Sequence, residues 1–343
     1  VTPPITSRHA REISADDPAA VDFEALVAAG QPVVIRGLVA DWPMVAAGQT
    51  GAQAAVDYLL GFYNGRPGTG YTARPALQGR YFYDDTLTAL DFERERVQLD
   101  AYLARILGAL GDADAPSFYV GSTDLDQYFP GFGDANPLAL NGPAFERALR
   151  SIWIGNRTTA TTHYDMSNNI ACVAAGRRRF TLFPPDQVAN LYPGPLEPTP
   201  GGQVVSLVNL ADPDLTAFPN FAIAAQAAQI AELEPGDAVV YPALWWHQVE
   251  AQDDFNILVN YWWNAAPAFL DPPMTALLHA MLSLRDRPQA EKDAWAAMFD
   301  YYVFGPAARP AAHLPSAAQG PLAPLDDMGA RRLRAELLRR LNR

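Results

Sequence analysis

Residues 162–183 read THYDMSNNIACVAAGRRRFTLF, and the fold of the whole chain turns on how this stretch is parsed. Asn169–Ala174 is a short apolar run and Arg179–Phe183 is a second, with Gly176 standing between them. Both read as β-segments. Similar short segments occur on either side: Ser117–Val120 and Ser151–Gly155 before, Asp237–Tyr241 and Asn256–Trp263 after. Strands this short and this regularly punctuated predict an antiparallel barrel or sandwich.

Further out the character changes. Pro32–Arg36 is a β-branched run ending at Gly37, which predicts a strand. Gln98–Leu110 carries Leu99, Leu103, Ile106, Leu107 and Leu110, the stripe of an amphipathic helix. Beyond Asn264 the strands stop, and Met274–Leu284, Gln289–Phe304 and Met328–Leu341 read as helices. The expected organisation is mainly β with helices: an N-terminal α/β region over 1–116, a β core over 117–265 and a helical region over 266–343. In the last helix Leu333, Leu337 and Leu341 keep i, i+4 spacing with Leu338 alongside, among six arginines from Arg331 to Arg343. That pattern fits a solvated basic face, or a leucine seam that packs on a partner subunit or back onto the same chain.

Composition narrows the function classes. In 343 residues, 18% charged and 49% hydrophobic side chains exclude a disordered polymer. No apolar run approaches the ~18 residues that a membrane-spanning helix needs. The 25 Lys and Arg against 38 Asp and Glu leave a net charge of −13, which repels phosphate backbones and makes nucleic acid a poor partner. Cys172 is the single cysteine, so an intrachain disulfide and a cysteine-rich zinc module are both excluded. The start, Val1-Thr2-Pro3-Pro4, lacks a basic-then-apolar secretory pattern, and a cytoplasmic protein is expected.

Five histidines are candidates for chemistry. His9 lies in a polar terminus, His279 in an apolar helix and His313 in an Ala/Pro-rich loop, where structural or solvent roles suffice. His163 and His247 keep different company. In Thr162-His163-Tyr164-Asp165 an imidazole and a carboxylate stand two residues apart, on one face of a strand. Glu234-Pro235-Gly236-Asp237 is a turn, followed by a strand-like run through Pro242 and then Trp245-Trp246-His247, which can bring a third ligand from a distant strand. Two imidazoles and a carboxylate on one face of an ion leave three positions open, the arrangement of non-haem Fe(II) oxygenases. The alternative is a hydrogen-bonded buried His163–Asp165 pair without metal.

The wording around these residues resembles the cupin-like JmjC oxygenases. The similar stretches are Trp153-Ile154-Gly155, His163-Tyr164-Asp165, Asn169, Gly176, Leu182-Phe183-Pro184-Pro185-Asp186-Gln187, Leu191-Tyr192-Pro193, Asp212-Pro213-Asp214, Phe218-Pro219-Asn220-Phe221, Pro235-Gly236-Asp237, Trp245-Trp246-His247 and Val259-Asn260-Tyr261-Trp262. Within the family they look closest to the asparaginyl hydroxylase branch that inhibits hypoxia-inducible factor. The likeness covers about Ser151–Asn264, with a looser match over Pro32–Trp42. It implies a double-stranded β-helix (jelly-roll, cupin) that binds Fe(II) through His163, Asp165 and His247. It also implies 2-oxoglutarate as cosubstrate, whose oxidative decarboxylation to succinate and CO₂ is coupled to hydroxylation of a protein side chain or a small amino-acid-like molecule. Tyr119, Asn169, Asn260 and Trp262 occupy positions similar to those that help hold the cosubstrate. Family members often dimerise through helices after the barrel, so a homodimer through the C-terminal helices is expected.

Two positions depart from the family pattern. Where a lysine usually anchors the distal carboxylate of 2-oxoglutarate, this chain has Arg178, which shares a strand face with Phe180 and Leu182. A guanidinium entering an apolar barrel demands a carboxylate partner, which it binds bidentately. Where a threonine commonly precedes the first histidine by three, this chain has Ala160, with Thr159 and Thr161 as candidate substitutes. Around Gln203-Val204-Val205, in the long loop Asp186–Leu233, the Arg-Gln pair of the asparaginyl hydroxylases is missing, so asparagine hydroxylation is not expected. The tryptophans and tyrosines Trp153, Tyr164, Trp245, Trp246, Tyr261, Trp262 and Trp263 read mostly as core, with Tyr164 the best candidate to line a pocket. Two rival readings are a non-catalytic cupin that binds a small acid and a sugar-phosphate isomerase, which would use a more histidine-rich ligand set.

Overall fold

The computed structural model describes residues 8–342, so Val1-Thr2-Pro3-Pro4 and Arg343 lie outside the described residues. The chain divides into two compact units, one ending at Asn264 and the other beginning at Ala265.

The first unit is built on two sheets. The larger runs edge to edge through Arg11–Ser14, Val33–Arg36, Ala238–Tyr241, Asn168–Ala175, Asn256–Trp263, Leu149–Gly155, Ser117–Asp124, Gly68–Ala73 and Glu93–Val97. The smaller runs through Gln229–Leu233, Arg178–Phe183, Trp246–Ala251, Thr159–Tyr164 and Arg80–Tyr81. Among these named strands the pairings are antiparallel except Arg11–Ser14 with Val33–Arg36 and Arg80–Tyr81 with Thr159–Tyr164. This is the jelly-roll arrangement of a cupin core. The N-terminal segment is not a separate layer of strands, since it supplies members to both sheets.

The Asn168–Ala175 strand lies between two others and is buried on both faces, which is why it reads as an almost unbroken apolar run. Ala171 and Val173 face the space between the sheets, meeting Phe180, Leu182 and Val249 from the smaller sheet and Val239 and Leu258 from the larger. Ile170, Cys172 and Ala174 face the other way, into a core closed by the helices Pro43–Thr50, Ala52–Leu60 and Leu99–Gly108. The thiol of Cys172 is fully buried there, and burial pushes its pKa far up, so it is inert. The Leu99–Gly108 helix buries Leu99, Leu103 and Ile106; Leu110, expected in its stripe, lies past its end and is exposed.

Gly176 turns the chain from the larger sheet into the smaller at positive φ. A Cβ there would run into the Asn256 side chain and the Phe255 carbonyl. The stretch 186–233 is more structured than a loop. It holds the helix Phe221–Ala227, ends in the edge strand Gln229–Leu233, and packs Leu191, Val208, Phe221 and Ala224 against Phe183 and Trp246 on the outer face of the smaller sheet.

The second unit contains helices at Pro273–Leu284, Gln289–Phe299 and Asp327–Leu341. The expected helix 289–304 changes to a π-turn at Asp300. Neither of the first two helices buries a residue, and the third buries only Ala330. Among the described residues no helix is long and apolar enough to cross a membrane.

Candidate metal centre

His163 and Asp165 come from the end of the Thr159–Tyr164 strand and the residue just past it; His247 lies directly across, in register with His163. One ligand atom from each of the three side chains falls within 4.8 Å of the others. The two imidazole rings stand 4.3 Å apart between centroids.

Hydrogen bonding fixes the tautomers. His163 Nδ1 lies 2.7 Å from the Thr161 carbonyl and His247 Nδ1 lies 3.0 Å from the Trp245 carbonyl. A carbonyl only accepts, so each Nδ1 carries the proton and each Nε2 keeps a lone pair. His247 is buried, and burial, reinforced by the neighbouring His163, pushes its pKa down to about 4 against the pull of Asp165. It is therefore neutral near pH 7. The 3.7 Å approach of His247 Nε2 to Asp165 Oδ2 is two electron donors converging, not an ion pair. Two neutral imidazoles and one carboxylate fit a divalent cation that accepts mixed N and O ligands.

Asp165 is held from behind. Its Oδ2 accepts from Trp262 Nε1 at 3.1 Å and from Asn169 Nδ2 at 3.3 Å. Asn169 also donates to the Tyr241 hydroxyl at 2.6 Å and accepts from Asn260 Nδ2 at 2.6 Å. Trp262 thus spends its N–H on the carboxylate ligand. The Asn260 Oδ1 is buried without a partner. No motif marks Tyr241 in the sequence; its place two residues beyond Val239, on the same strand face, is the one signal of its inward position.

Arg178 enters the space between the sheets as its alternation with Phe180 and Leu182 predicts, and is 2% exposed. The Tyr119 phenol favours the guanidinium charge against the burial that opposes it, while Arg178 Nε and Nη2 are buried with no partner among the described residues. Among the described residues no carboxylate pairs with it. Burial pushes the Tyr119 phenol up to about 12, although the guanidinium pulls the other way. Arg177, by contrast, is closed by Asp253 at 2.7 Å.

A β-bulge between the His163 and Ala160 pairings brings Ala160 to the inner face despite its odd spacing from the ligand. Neither neighbour replaces the missing hydroxyl. Thr161 Oγ1 donates to the Tyr81 carbonyl at 3.0 Å, and Thr159 pairs with Glu250 on the opposite face. Tyr164 packs its ring 4.7 Å from Trp246 on the outer face, away from the ligands. The segment at Val205 bridges to His163, which ties the long insert to the ligand strand.

Comparison with known proteins agrees with this geometry. The chain is 34% identical over 122 residues to the lysine-specific demethylase JMJ31 of Arabidopsis thaliana, covering 35% of this chain and 22% of that protein. It is 33% identical over 184 residues to human HSPB1-associated protein 1, covering 52% and 36%. It is 34% identical over 107 residues to mouse tRNA wybutosine-synthesizing protein 5, covering 31% of each. The matches thus span between about a fifth and a third of these relatives. The profile of the cupin-like domain matches residues 18–269, most of the first unit and the whole of the His163–Asp165–His247 cluster. The chain therefore belongs to the cupin-like, JmjC-type domain family.

Proposed function

We propose that this protein is an Fe(II)- and 2-oxoglutarate-dependent oxygenase that hydroxylates a protein side chain or a small amino-acid-like molecule. The observation that carries the reading is the pairing of a two-histidine, one-carboxylate cluster with a buried guanidinium that has no anionic partner. A cation in an apolar interior is costly unless it is matched by a negative charge. A dicarboxylate that chelates the metal at one end and meets Arg178 at the other satisfies both features.

His163, Asp165 and His247 would hold the Fe(II), which with a chelated 2-oxo acid supplies dioxygen activation. The chain's own residues do the rest. The Thr161 and Trp245 carbonyls lock both imidazoles with Nε2 toward the shared position. Trp262 and Asn169 orient the Asp165 carboxylate. Arg178 and Tyr119 fix the far end of the cosubstrate. Phe180, Leu182 and Leu258 keep the interior dry, which strengthens each of these interactions.

Incubation with Fe(II), 2-oxoglutarate and ascorbate tests the reading through succinate formation, even without a prime substrate. A protein that binds the dicarboxylate but never forms succinate is instead the non-catalytic cupin, a reading that Ala160 favours.

The second unit supports a homodimer. Its helices expose Leu277, Leu278, Leu282 and Phe304, the last two at 79% and 77%, as well as Leu333, Leu337, Leu338 and Leu341. So much apolar surface is stabilised by a two-fold partner. The arginines are not what would hold it. Arg331, Arg334, Arg339 and Arg340 pair with Asp327, Asp271 and Glu336 of the same unit.

A further inference from the structure

We propose that Trp153 is a specificity-determining residue of this site, its indole N–H donating to the distal carboxylate of the cosubstrate beside the Arg178 guanidinium. The inference rests on the cosubstrate reading above and adds to it a residue with no charge and no place in the metal cluster.

Trp153 Nε1 is buried and has no hydrogen-bond partner. An indole N–H can only donate, and a buried one ordinarily finds an acceptor. Among the described residues none is offered there. Trp153 packs in the cluster that contains Ala160, Phe180, Leu182 and Leu258, all apolar. Its ring lies 5.8 Å from that of Tyr119 and 5.9 Å from that of Trp262. Tyr119 is the phenol that favours the Arg178 charge, and Trp262 is bonded to Asp165. The orphan donor therefore sits between the residue that favours the guanidinium charge and the residue that touches the ligand carboxylate.

The backbone makes room for this wall. A Cβ on Gly121 would come within 3.2 Å of Trp153 Cζ3, and one on Gly155 within 3.1 Å of the Tyr119 ring. The Cε3–Cζ3 side of the indole rests on Gly121, and Nε1 lies on the opposite side of the ring. Across the interior, Ala160 presents a methyl group, and Thr161 is already committed to the Tyr81 carbonyl. The site thus lacks a hydroxyl donor at 160 and holds an unused N–H at 153. Trp153 supplies the neutral donor that Ala160 cannot.

The test uses full-length protein loaded with Mn(II) and kept free of oxygen, titrated calorimetrically with two acids. One is 2-oxoglutarate. The other is 2-oxopentanoate, of equal chain length with a methyl group in place of the distal carboxylate. Trp153→Phe keeps the ring and removes the N–H. It should weaken 2-oxoglutarate by about 10- to 100-fold, the range of one charge-assisted hydrogen bond, and change 2-oxopentanoate less than twofold. Adding Ala160→Thr to that variant should recover part of the loss. In the Zn(II)-loaded wild type, the indole ¹⁵N–¹H signal that Trp153→Phe deletes should shift on adding 2-oxoglutarate. Unchanged 2-oxoglutarate affinity in Trp153→Phe, equal losses for the two acids, or a stationary indole signal would overturn the inference and leave the cosubstrate reading standing. A wild type that binds no 2-oxoglutarate at all would remove both.

Discussion

Replacing Arg178 with methionine should make the empty protein more stable and its dicarboxylate site useless. In the structure the guanidinium is 2% exposed, two of its nitrogens have no partner among the described residues, and the group that favours its charge is the Tyr119 phenol. Desolvating a cation costs several kcal/mol, and even a full hydrogen bond to the Tyr119 phenol would return only about 1.5–3 kcal/mol. Methionine fills a similar apolar path beside Phe180 and Leu182 without that cost. The expected net gain is about 1–2 kcal/mol, which raises the melting temperature of the metal-free protein by about 2–8 °C. With 2-oxoglutarate the order reverses. The wild type gains about 2.7 kcal/mol at a ligand concentration of 100 Kd, whereas the variant gains nothing, because losing a buried charge pair costs about 3–5 kcal/mol or more than 100-fold in affinity. Thermal denaturation with Mn(II), with and without 2-oxoglutarate, reads both effects in one series. A variant that melts lower than wild type without ligand, yet is still stabilised by 2-oxoglutarate, would refute the argument that Arg178 is held in reserve for an anion.

Other consequences can be checked separately. Asp165→Ala should abolish stoichiometric Mn(II) binding by calorimetry while circular dichroism stays native, since one of three ligands and its charge are gone. Asp253, whose pKa is lowered by the Arg177 guanidinium, contributes stability that is present above the ordinary carboxylate range near pH 4 and is lost as pH falls through its depressed value. Asp253→Asn should therefore flatten the acid limb of a stability–pH profile below about pH 4 and leave neutral metal binding unchanged. Light scattering at micromolar concentration should give a dimer for the full chain, and Leu282→Arg combined with Phe304→Arg should give a monomer; a dimer that survives both changes would place the interface elsewhere.

By itself the sequence carried what depends on alternation and near neighbours. The HxD spacing put His163 and Asp165 on one side, the period of two sent Arg178 inward with Phe180 and Leu182, and punctuation by glycine and proline marked the short strands. These are properties of a few consecutive residues. What the tertiary structure alone decided depends on which distant strands meet. The bulge that turns Ala160 inward breaks the alternation rule, and it arises only in the pairing of the Thr159–Tyr164 and Trp246–Ala251 strands. The ordered insert, with its own small core on Phe183 and Trp246, is invisible to a reading of loop composition because its stability comes from that contact. Trp262 serves Asp165, and Tyr164 turns away from the site, for the same reason. A side chain's partner is set by what lies across the interior, and strands a hundred residues apart in sequence supply that.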